Sequence, residues 1–230
     1  MDWRRFTGER AGTDALLLAD FAQSAGRLGA DLGSGSGVIL LLLLLGDAQR
    51  RMTGVDIRES AVTDCRENLR RFALCGRGAA VCADYRAAPI PDGSLDFLVS
   101  NPPYFPAGRG AVSPDPDRAA QRTESAAVSE LCRAAARYLK PGGAFYLVHR
   151  VEREAEILAS LCAAGLSPVR RRDVFSAPGK PAPIFLVEAA KGAADGAAVR
   201  DAVVLHDAVV LHDADGRETA EYRKICHWEA

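Results

Sequence analysis

The feature that most constrains the fold is an apolar run that directly follows a glycine-rich loop. The stretch is "DLGSGSGVILLLLLLG", in which every residue from Val38 to Leu45 is aliphatic. This run is much shorter than the roughly 20 apolar residues that cross a membrane. Because a helix formed by it has no polar face, the run predicts a helix that is buried on all sides.

Strand-like and helix-like runs alternate from Leu28 to Ala190. Such β-α alternation predicts an α/β fold with a doubly wound, mostly parallel, Rossmann-like sheet and helices on both faces. We expect one domain over residues 1–230, with a lead-in segment 1–27, a catalytic core 28–191 and a tail 192–230. The strands expected are "LGADLG", "RMTGVDI", "AAVCAD", "SLDFLVSN", "AFYLVHR", "VRRRDVF" and "PIFLVEAA".

Charge and cysteine usage exclude several classes of protein. The 230 residues carry a net charge of −1, which argues against a strongly basic binder of nucleic acid over its whole surface. The six cysteines form no C-x-x-C pair and show no ligand spacing with the four histidines, so no metal site is expected. The start "MDWRRFTGER" lacks an apolar signal region. These features predict a cytoplasmic protein with reduced thiols and no membrane segment.

The glycine loop predicts a binding site for a ligand. Asp31 lies at the end of the first strand, and Gly33, Gly35 and Gly37 follow it at alternate positions. Glycines allow a sharp turn and let a ligand approach the main chain, while the next helix directs its free N–H groups at the loop. A plain strand-to-helix turn is the alternative, because a glycine motif of this kind is weak evidence by itself.

Two further acids strengthen the case for a ligand. Asp56 ends the second strand in "GVDI" and Asp84 ends the third in "CADYR". In a doubly wound sheet they would line the carboxyl edge beside Asp31, where ligands bind. A carboxylate after the second strand suits a ribose diol and one after the third suits an adenine amine. This spacing predicts an adenosine ligand and leaves NAD open.

The stretch "SNPPYF" follows the fourth strand and adds the decisive motif. The motifs "DLGSGSG", "GVDI", "ADYR" and "SNPPYF", in this order, resemble those of the class I S-adenosylmethionine-dependent methyltransferases. The Asn-Pro-Pro-aromatic version resembles the subset that methylates planar amino nitrogens in nucleic acids or glutamine side chains. "RAGTDALLLADF", the loop after the motif, the C-terminal half and the tail resemble the small bacterial tRNA (valine) adenine-N6 methyltransferases, which act next to the anticodon.

The resemblance implies a cofactor, S-adenosyl-L-methionine, and roles for named residues. Asp56 would hold its ribose, Asp84 would lie near its adenine, and Asp14 would lie beside its methionine end. Thr13 and Asp14 have the alternative role of capping a helix. The full set of expected cofactor-binding residues is Asp14, Asp31, Gly33, Gly35, Gly37, Asp56, Asp84 and Asn101.

The same resemblance implies a catalytic role for the proline-stiffened turn. The side-chain oxygen of Asn101 and the backbone carbonyl of Pro102 would accept the two hydrogens of an adenine amine and aim its lone pair. Tyr104 would stack on a base splayed out of the RNA. The expected substrate-binding residues are Pro103, Tyr104, Phe105, Arg109 and Arg122.

Other activities remain open at this point. A glutamine-N5 protein methyltransferase is the nearest rival, although such enzymes usually carry a helical domain before the core. A methyltransferase acting on another RNA or DNA amino group is a further alternative, as is a cofactor-binding module without activity. The sequence leaves the oligomeric state open.

Three smaller features carry weaker predictions. Arg170–Arg172 form a basic run that fits either a phosphate contact or a charged edge strand. His149 ends an apolar strand and is expected to be structural. "DAVVLHDAVVLHD" is a tandem copy, and we expect its second copy, Val209–His212, to occupy the native place while the first forms a surface insertion.

Overall fold

The described strands form one eight-stranded sheet with helices on both faces. The structure is a computed structural model, and it describes residues 5–9, 12–23, 25–102, 128–192 and 205–226. The strands are β1 (Leu28–Leu32), β2 (Arg51–Asp56), β3 (Gly78–Cys82), β4 (Leu95–Ser100), β5 (Leu139–Arg150), β6 (Leu166–Phe175), β7 (Ile184–Lys191) and β8 (Leu205–Val210). The helices are α1 (Thr13–Phe21), α2 (Val38–Gly46), α3 (Glu59–Arg71), α4 (Val128–Tyr138), α5 (Glu154–Ala163) and α6 (Ala220–Cys226), with 3-10 turns at Tyr85–Ala87 and Val151–Arg153.

The strand order confirms the predicted doubly wound fold. The order is β3-β2-β1-β4-β5-β7-β6-β8, and only the pairs that involve β7 are antiparallel. The chain runs outward from β1 through β2 to β3 and then returns to the other side of β1 as β4. The sheet therefore has its topological switch point between β1 and β4, the place where such sheets bind ligands.

Two apolar clusters lie on opposite faces of the sheet. Side chains alternate between them along β5, where Phe145 and Leu147 join one cluster and Tyr146 and Val148 join the other. The cluster with Tyr146 is covered by α1, α2, α3 and α6, and the other cluster is covered by α4 and α5. Strands buried on both faces are typical of parallel sheets.

The all-aliphatic helix α2 is buried as predicted, except at its end. Val38–Leu44 are all buried, whereas Leu45 is 41% exposed. The helix packs on α1 and α3 and on strands β1 to β3. No helix in the described part of the chain is long and apolar enough to span a membrane.

The segment "LKPGG" follows α4 directly and belongs to β5. Here α4 ends at Tyr138, and Leu139 already pairs with Leu95 of β4. The next pair is Phe97 with Ala144, so the Pro-Gly-Gly segment forms an irregularity within β5. Proline and glycine are tolerated in a strand at such points because they interrupt the ladder.

The arginine run 170–172 lies inside the sheet, so the alternative of a charged edge strand is wrong. Strand β6 is paired on one side with β7 and on the other with β8. Each arginine forms an ion pair with a carboxylate of this chain, which gives the run a structural role and does not support a phosphate contact. The pairs are Arg170 with Glu188, Arg171 with Glu154, and Arg172 with Asp207.

The tandem copy contributes to β8 from both of its halves. In the second copy Val209 is fully buried, and the His212 ring meets the Tyr222 ring edge-on at 6.0 Å. The backbone of Leu205 and His206, which end the first copy, pairs with β6. The first copy is therefore not wholly an insertion, because its last residues extend the strand.

Arg50 lies in the connection between α2 and β2, and its side chain bonds to the connection between α1 and β1 and to the end of α2. The side chain is only 1% exposed, and its guanidinium lies 5.4 Å from the Phe97 ring centroid. It has no carboxylate partner among the described residues, and backbone carbonyls satisfy it instead. These are the carbonyls of Gln23 at 3.0 Å, Ala25 at 3.0 Å, Gly26 at 3.2 Å and Leu43 at 2.9 Å.

Replacement of Arg50 should therefore destabilise the fold strongly. In Arg50→Met the four carbonyls, of which that of Leu43 is buried and the others are partly buried, lose their donor, and we expect a loss of about 3 kcal/mol or more in the free energy of unfolding. Urea denaturation measures this loss. The control is Arg51→Met, because Arg51 is exposed and makes one 3.4 Å bond to Gly76. Equal stability of the two variants would contradict the role of Arg50.

Candidate active site

The glycine loop at the end of β1 takes up backbone angles that only glycine adopts easily. Gly33, Gly35 and Gly37 have φ values of +77°, +53° and +86°. A Cβ on Gly37 would lie 2.5 Å from the sulfur of Cys65, so this glycine also allows the loop to pack on α3. A Cβ on Gly33 would meet no atom within 4 Å, which leaves the backbone there open to a ligand.

Asp31 is a buried carboxyl group at the start of this loop. Its neighbours Ala30 and Leu32 belong to the cluster covered by α4 and α5. Because side chains alternate along a strand, the Asp31 side chain lies on the other face of the sheet, which α2 covers. It is 1% exposed, and neither carboxyl oxygen has a hydrogen-bond partner among the described residues. Burial, and next the charge of Asp56, raise its pKa to about 7, while the Leu40 backbone acts in the opposite direction. An unpaired buried carboxyl is costly and favours a ligand that carries donors or positive charge.

Asp56 holds the glycine loop from the neighbouring strand. As the last residue of β2, it accepts the Gly35 N–H at 2.8 Å through Oδ2. Its Oδ1 accepts the backbone N–H of Arg58 at 2.9 Å and the Nε–H of the same residue at 3.3 Å. A carboxylate has about four acceptor sites, and three are used here, so one remains on Asp56 for a ribose hydroxyl.

Asp84 lies two residues beyond β3 and is engaged by Arg86. Its Oδ1 accepts the Arg86 backbone N–H at 2.8 Å and the Nε–H at 3.0 Å. The Arg86 side chain lowers the pKa of this carboxyl, so Asp84 is charged. Any ligand amine at Asp84 would have to share it with Arg86.

Asn101 and Pro102 stand at the switch point, beside the glycine loop. The hydroxyl of Ser100, the last residue of β4, donates to the Leu32 carbonyl at 2.6 Å and joins the ends of β4 and β1. The following Asn101 and Pro102 are half-buried. The remaining predicted substrate residues, Pro103, Tyr104, Phe105, Arg109 and Arg122, lie outside the described residues.

Asp14 lies in the first turn of α1, a helix that packs on α2. The N-cap position belongs to Gly12, so the alternative role of Thr13 and Asp14 as the N-cap pair is wrong. The Thr13 hydroxyl lies 3.1 Å from the Tyr222 hydroxyl instead. The contact of Asp14 with a cofactor stays a prediction.

Ile57 is a candidate binding residue that the sequence analysis did not identify. It directly follows Asp56 and is 50% exposed, although it is a large aliphatic residue. Exposed aliphatic surface at a ligand-binding edge suits the face of a planar ring. The sequence feature that could have identified Ile57 is its position directly after the acid in "GVDI".

His149 is a buried histidine near the end of β5. His149 is 1% exposed, and burial is the main cause that lowers its pKa to about 4, so it is neutral and structural as expected. Among the described residues no group of three or more His, Cys, Asp or Glu side chains is placed to hold a metal ion.

Comparison with known proteins identifies the family. The profile of the methyltransferase small domain matches residues 10–162. The chain belongs to this methyltransferase family. The expectation of a methyltransferase, made from the four motifs, is confirmed.

This methyltransferase has close relatives with a named activity. It is 30% identical over 187 residues to a tRNA1(Val) (adenine(37)-N6)-methyltransferase of Bacteroides fragilis. The matched segment covers 78% of this chain and 76% of the relative. It is 34% identical over 193 residues to the enzyme of the same name from Aeromonas salmonicida, over 80% of this chain and 77% of the relative.

Solved structures share the fold of this methyltransferase. A predicted O-methyltransferase from Agrobacterium tumefaciens superposes with a TM-score of 0.73 at 21% identity, over 92% of this chain and 94% of the other. A geranyl diphosphate methyltransferase in complex with SAM superposes with a TM-score of 0.57 at 12% identity, over 83% and 95% of the two chains. At these identities the likeness concerns the fold alone.

The unpaired Asp31 should make stability depend on pH. The folded protein holds the Asp31 proton up to a pH of about 7, whereas the unfolded chain releases it near 3.8. The stabilising contribution is complete below pH 4 and disappears as the pH rises through 7. Asp31→Asn stays neutral, so at pH 7.5 we expect it to exceed the wild-type stability by a few kcal/mol, and to match it at pH 4.

Urea denaturation of both proteins across this pH range measures the difference. The control is Asp92→Asn, because the Asp92 side chain is 70% exposed and its loss should leave the pH profile unchanged. Parallel profiles for the wild type and Asp31→Asn would show that Asp31 is ionised in the folded protein at pH 4 to 7.

Proposed function

We propose that this methyltransferase transfers a methyl group to the exocyclic N6 amine of an adenine in RNA, most specifically in a tRNA next to the anticodon. Support comes from relatives named tRNA1(Val) (adenine(37)-N6)-methyltransferase, which this chain matches over most of its length. S-adenosyl-L-methionine is the methyl donor, and as a sulfonium it supplies an already activated methyl group.

The cofactor fits the residues present at the carboxyl edge. A ligand can approach the main chain closely at Gly33. Neither carboxyl oxygen of Asp31 has a hydrogen-bond partner among the described residues, so both are available to a ligand that carries positive charge. Asp56 is placed for the ribose and Ile57 for a face of the adenine. Asp84 would contact the adenine amine, with Arg86 as its competitor.

The observation that carries the proposal is the position of Asn101 and Pro102 at the switch point. Ser100 bonds to Leu32, so the Asn-Pro turn begins beside the strand that leads into the glycine loop. An adenine amine is a poor nucleophile because its lone pair is delocalised into the ring. The Asn101 side-chain oxygen and the Pro102 carbonyl would accept its two hydrogens, favour the pyramidal nitrogen and stabilise the developing positive charge.

The RNA would bind at the edge where the Asn-Pro turn opens. Tyr104 would stack on the base, with Pro103 and Phe105 beside it, and Arg109 and Arg122 would contact the phosphates. A base inside a paired or stacked stem cannot reach Asn101, so the target must lie in a loop or be extruded. A tRNA anticodon loop meets this requirement.

We also propose that residues 1–230 act as one catalytic unit in the cytoplasm, where tRNA is modified. The eight-stranded sheet combines strands from residues 28 to 210, so the core and part of the tail are joined by β6 and β8.

The deciding experiment is nucleoside mass spectrometry of tRNA from a strain that lacks this gene. Appearance of N6-methyladenosine in one isoacceptor after addition of the protein and S-adenosylmethionine would support the proposal. Methylation of a release factor and not of tRNA would instead establish the glutamine-N5 activity. A catalytically inactive binding module would methylate neither.

Replacement of Asn101 should separate binding from chemistry. In Asn101→Ala we expect turnover to fall by about 100-fold or more, because one preorganised acceptor at the reacting nitrogen is lost. Asn101→Asp keeps an oxygen at the same position, so it should lose less. Single-turnover methylation of tRNA, together with calorimetry of cofactor binding, measures both effects. Near-normal turnover of the alanine variant would contradict the two-acceptor mechanism.

A further inference from the structure

The N-terminal strap, defined here as residues 5–9, lies against the outer side of the glycine loop. Its first residue is bound to the end of α3, where Arg71 donates to the Arg5 carbonyl at 3.1 Å. Phe6 packs against the core cluster that α2 and α3 cover. The Glu9 carbonyl accepts the Ser36 hydroxyl at 2.8 Å, so the strap ends in direct contact with the loop.

Asn68 joins the strap to the loop from inside the protein. It is completely buried in α3, and its Oδ1 accepts the Thr7 N–H at 2.8 Å. Its Nδ2 donates to the Thr7 carbonyl at 2.9 Å and to the Ser36 carbonyl at 2.9 Å. Both N–H groups of the Asn68 amide are used. Its two bonds with Thr7, one accepted and one donated, repeat the pattern of a hydrogen-bonded residue pair in a β-sheet. A buried amide satisfied in this way tolerates little displacement of its partners.

The loop is therefore held from two opposite sides. Asp56 binds the N–H of Gly35, and Asn68 binds the carbonyl of the adjacent Ser36. The glycines on either side of Ser36 have no side chains with which to anchor themselves. Gly33 itself is held by β2, because its N–H donates to the Val55 carbonyl at 2.8 Å. The two contacts at Gly35 and Ser36 therefore fix the part of the loop that follows Gly33.

Gly8 shows how closely the strap approaches the loop. It has a φ of +84°, and a Cβ there would lie 2.6 Å from Asp64 Oδ2 and 2.9 Å from Ser36 Cβ. Any side chain at this position pushes the strap away from the loop or moves Ser36.

We propose that Asn68 is a positioning residue for cofactor binding, which couples the N-terminal strap to the glycine loop through Ser36. The inference rests on the proposed use of S-adenosylmethionine at this loop. Displacement of the strap then weakens cofactor binding although no strap residue needs to contact the cofactor. By thermodynamic reciprocity, cofactor binding tightens the strap.

Two variants test the coupling from different sides. Asn68→Asp replaces the donor to Thr7 and Ser36 by an oxygen that repels both carbonyls. Gly8→Ala displaces the strap or Ser36 and leaves the Asn68 side chain itself unchanged. Its control is Gly93→Ala, because Gly93 has a comparable φ of +63° but a Cβ there meets nothing within 4 Å. The comparison cancels the backbone cost of alanine at positive φ.

Calorimetry with S-adenosylmethionine and hydrogen exchange are the readouts. We expect roughly tenfold weaker cofactor binding or more for Gly8→Ala and Asn68→Asp, and wild-type binding for Gly93→Ala. Turnover at saturating cofactor should change much less than the KM for cofactor. Amides of residues 33–37 should exchange faster in Gly8→Ala than in Gly93→Ala, without any cofactor present.

The outcomes separate this proposal from the proposed function. Equal cofactor affinity of Gly8→Ala and Gly93→Ala overturns the role of the strap, whether or not Asn68→Asp folds. Failure of the wild type to bind S-adenosylmethionine overturns the proposed function instead. In that case the coupling itself is judged by hydrogen exchange, and equal exchange of the loop in both alanine variants refutes it.

Discussion

The architecture depends on the need to cover α2 on every side. A helix whose first seven residues are buried and aliphatic has no polar stripe to present to water. Strands β1 to β3 cover one side, and α1 and α3 cover others. Arg50 then satisfies the Leu43 carbonyl near the end of α2 and the carbonyls that follow α1. A basic side chain is tolerated in this apolar surrounding because carbonyl dipoles replace its hydration.

Covering α2 also brings the N-terminal part of the chain to the functional edge. Because α1 packs on α2, the residues before α1 run beside the first turn of α2 and the glycine loop. There, Asn68 on the buried face of α3 forms hydrogen bonds with the backbone N–H and carbonyl of Thr7. The same packing that completes the core thus helps to fix a loop whose glycines have no side chains to anchor it.

Among the described residues, Asp31 gives the site a local electrostatic cost. Asp31 is buried without a hydrogen-bond partner among the described residues and is close enough to Asp56 for the two charges to repel, which is the opposite of how a stable core is built. The arginines of β6 show the usual solution, since each is paired with a carboxylate. Unpaired polar groups concentrated at one sheet edge are a property of sites that bind ligands.

Local sequence patterns were enough to predict the alternation of strands and helices, the buried helix, and the order of the acids along one edge, because periodicity and strand ends are local properties. The sequence also contains the motifs that placed the chain among methyltransferases. The folded structure was needed to find the partners of Arg170–Arg172, the interior position of β6, the engagement of Asp84 by Arg86, and the link from Asn68 to Thr7 and Ser36. Asn68 follows Val62 and Cys65 at helical spacing, so the sequence could place it on the apolar face of α3. Which carbonyls its amide would meet depends on segments 32 and 61 residues away, and such long-range pairing is set by packing and not by local pattern.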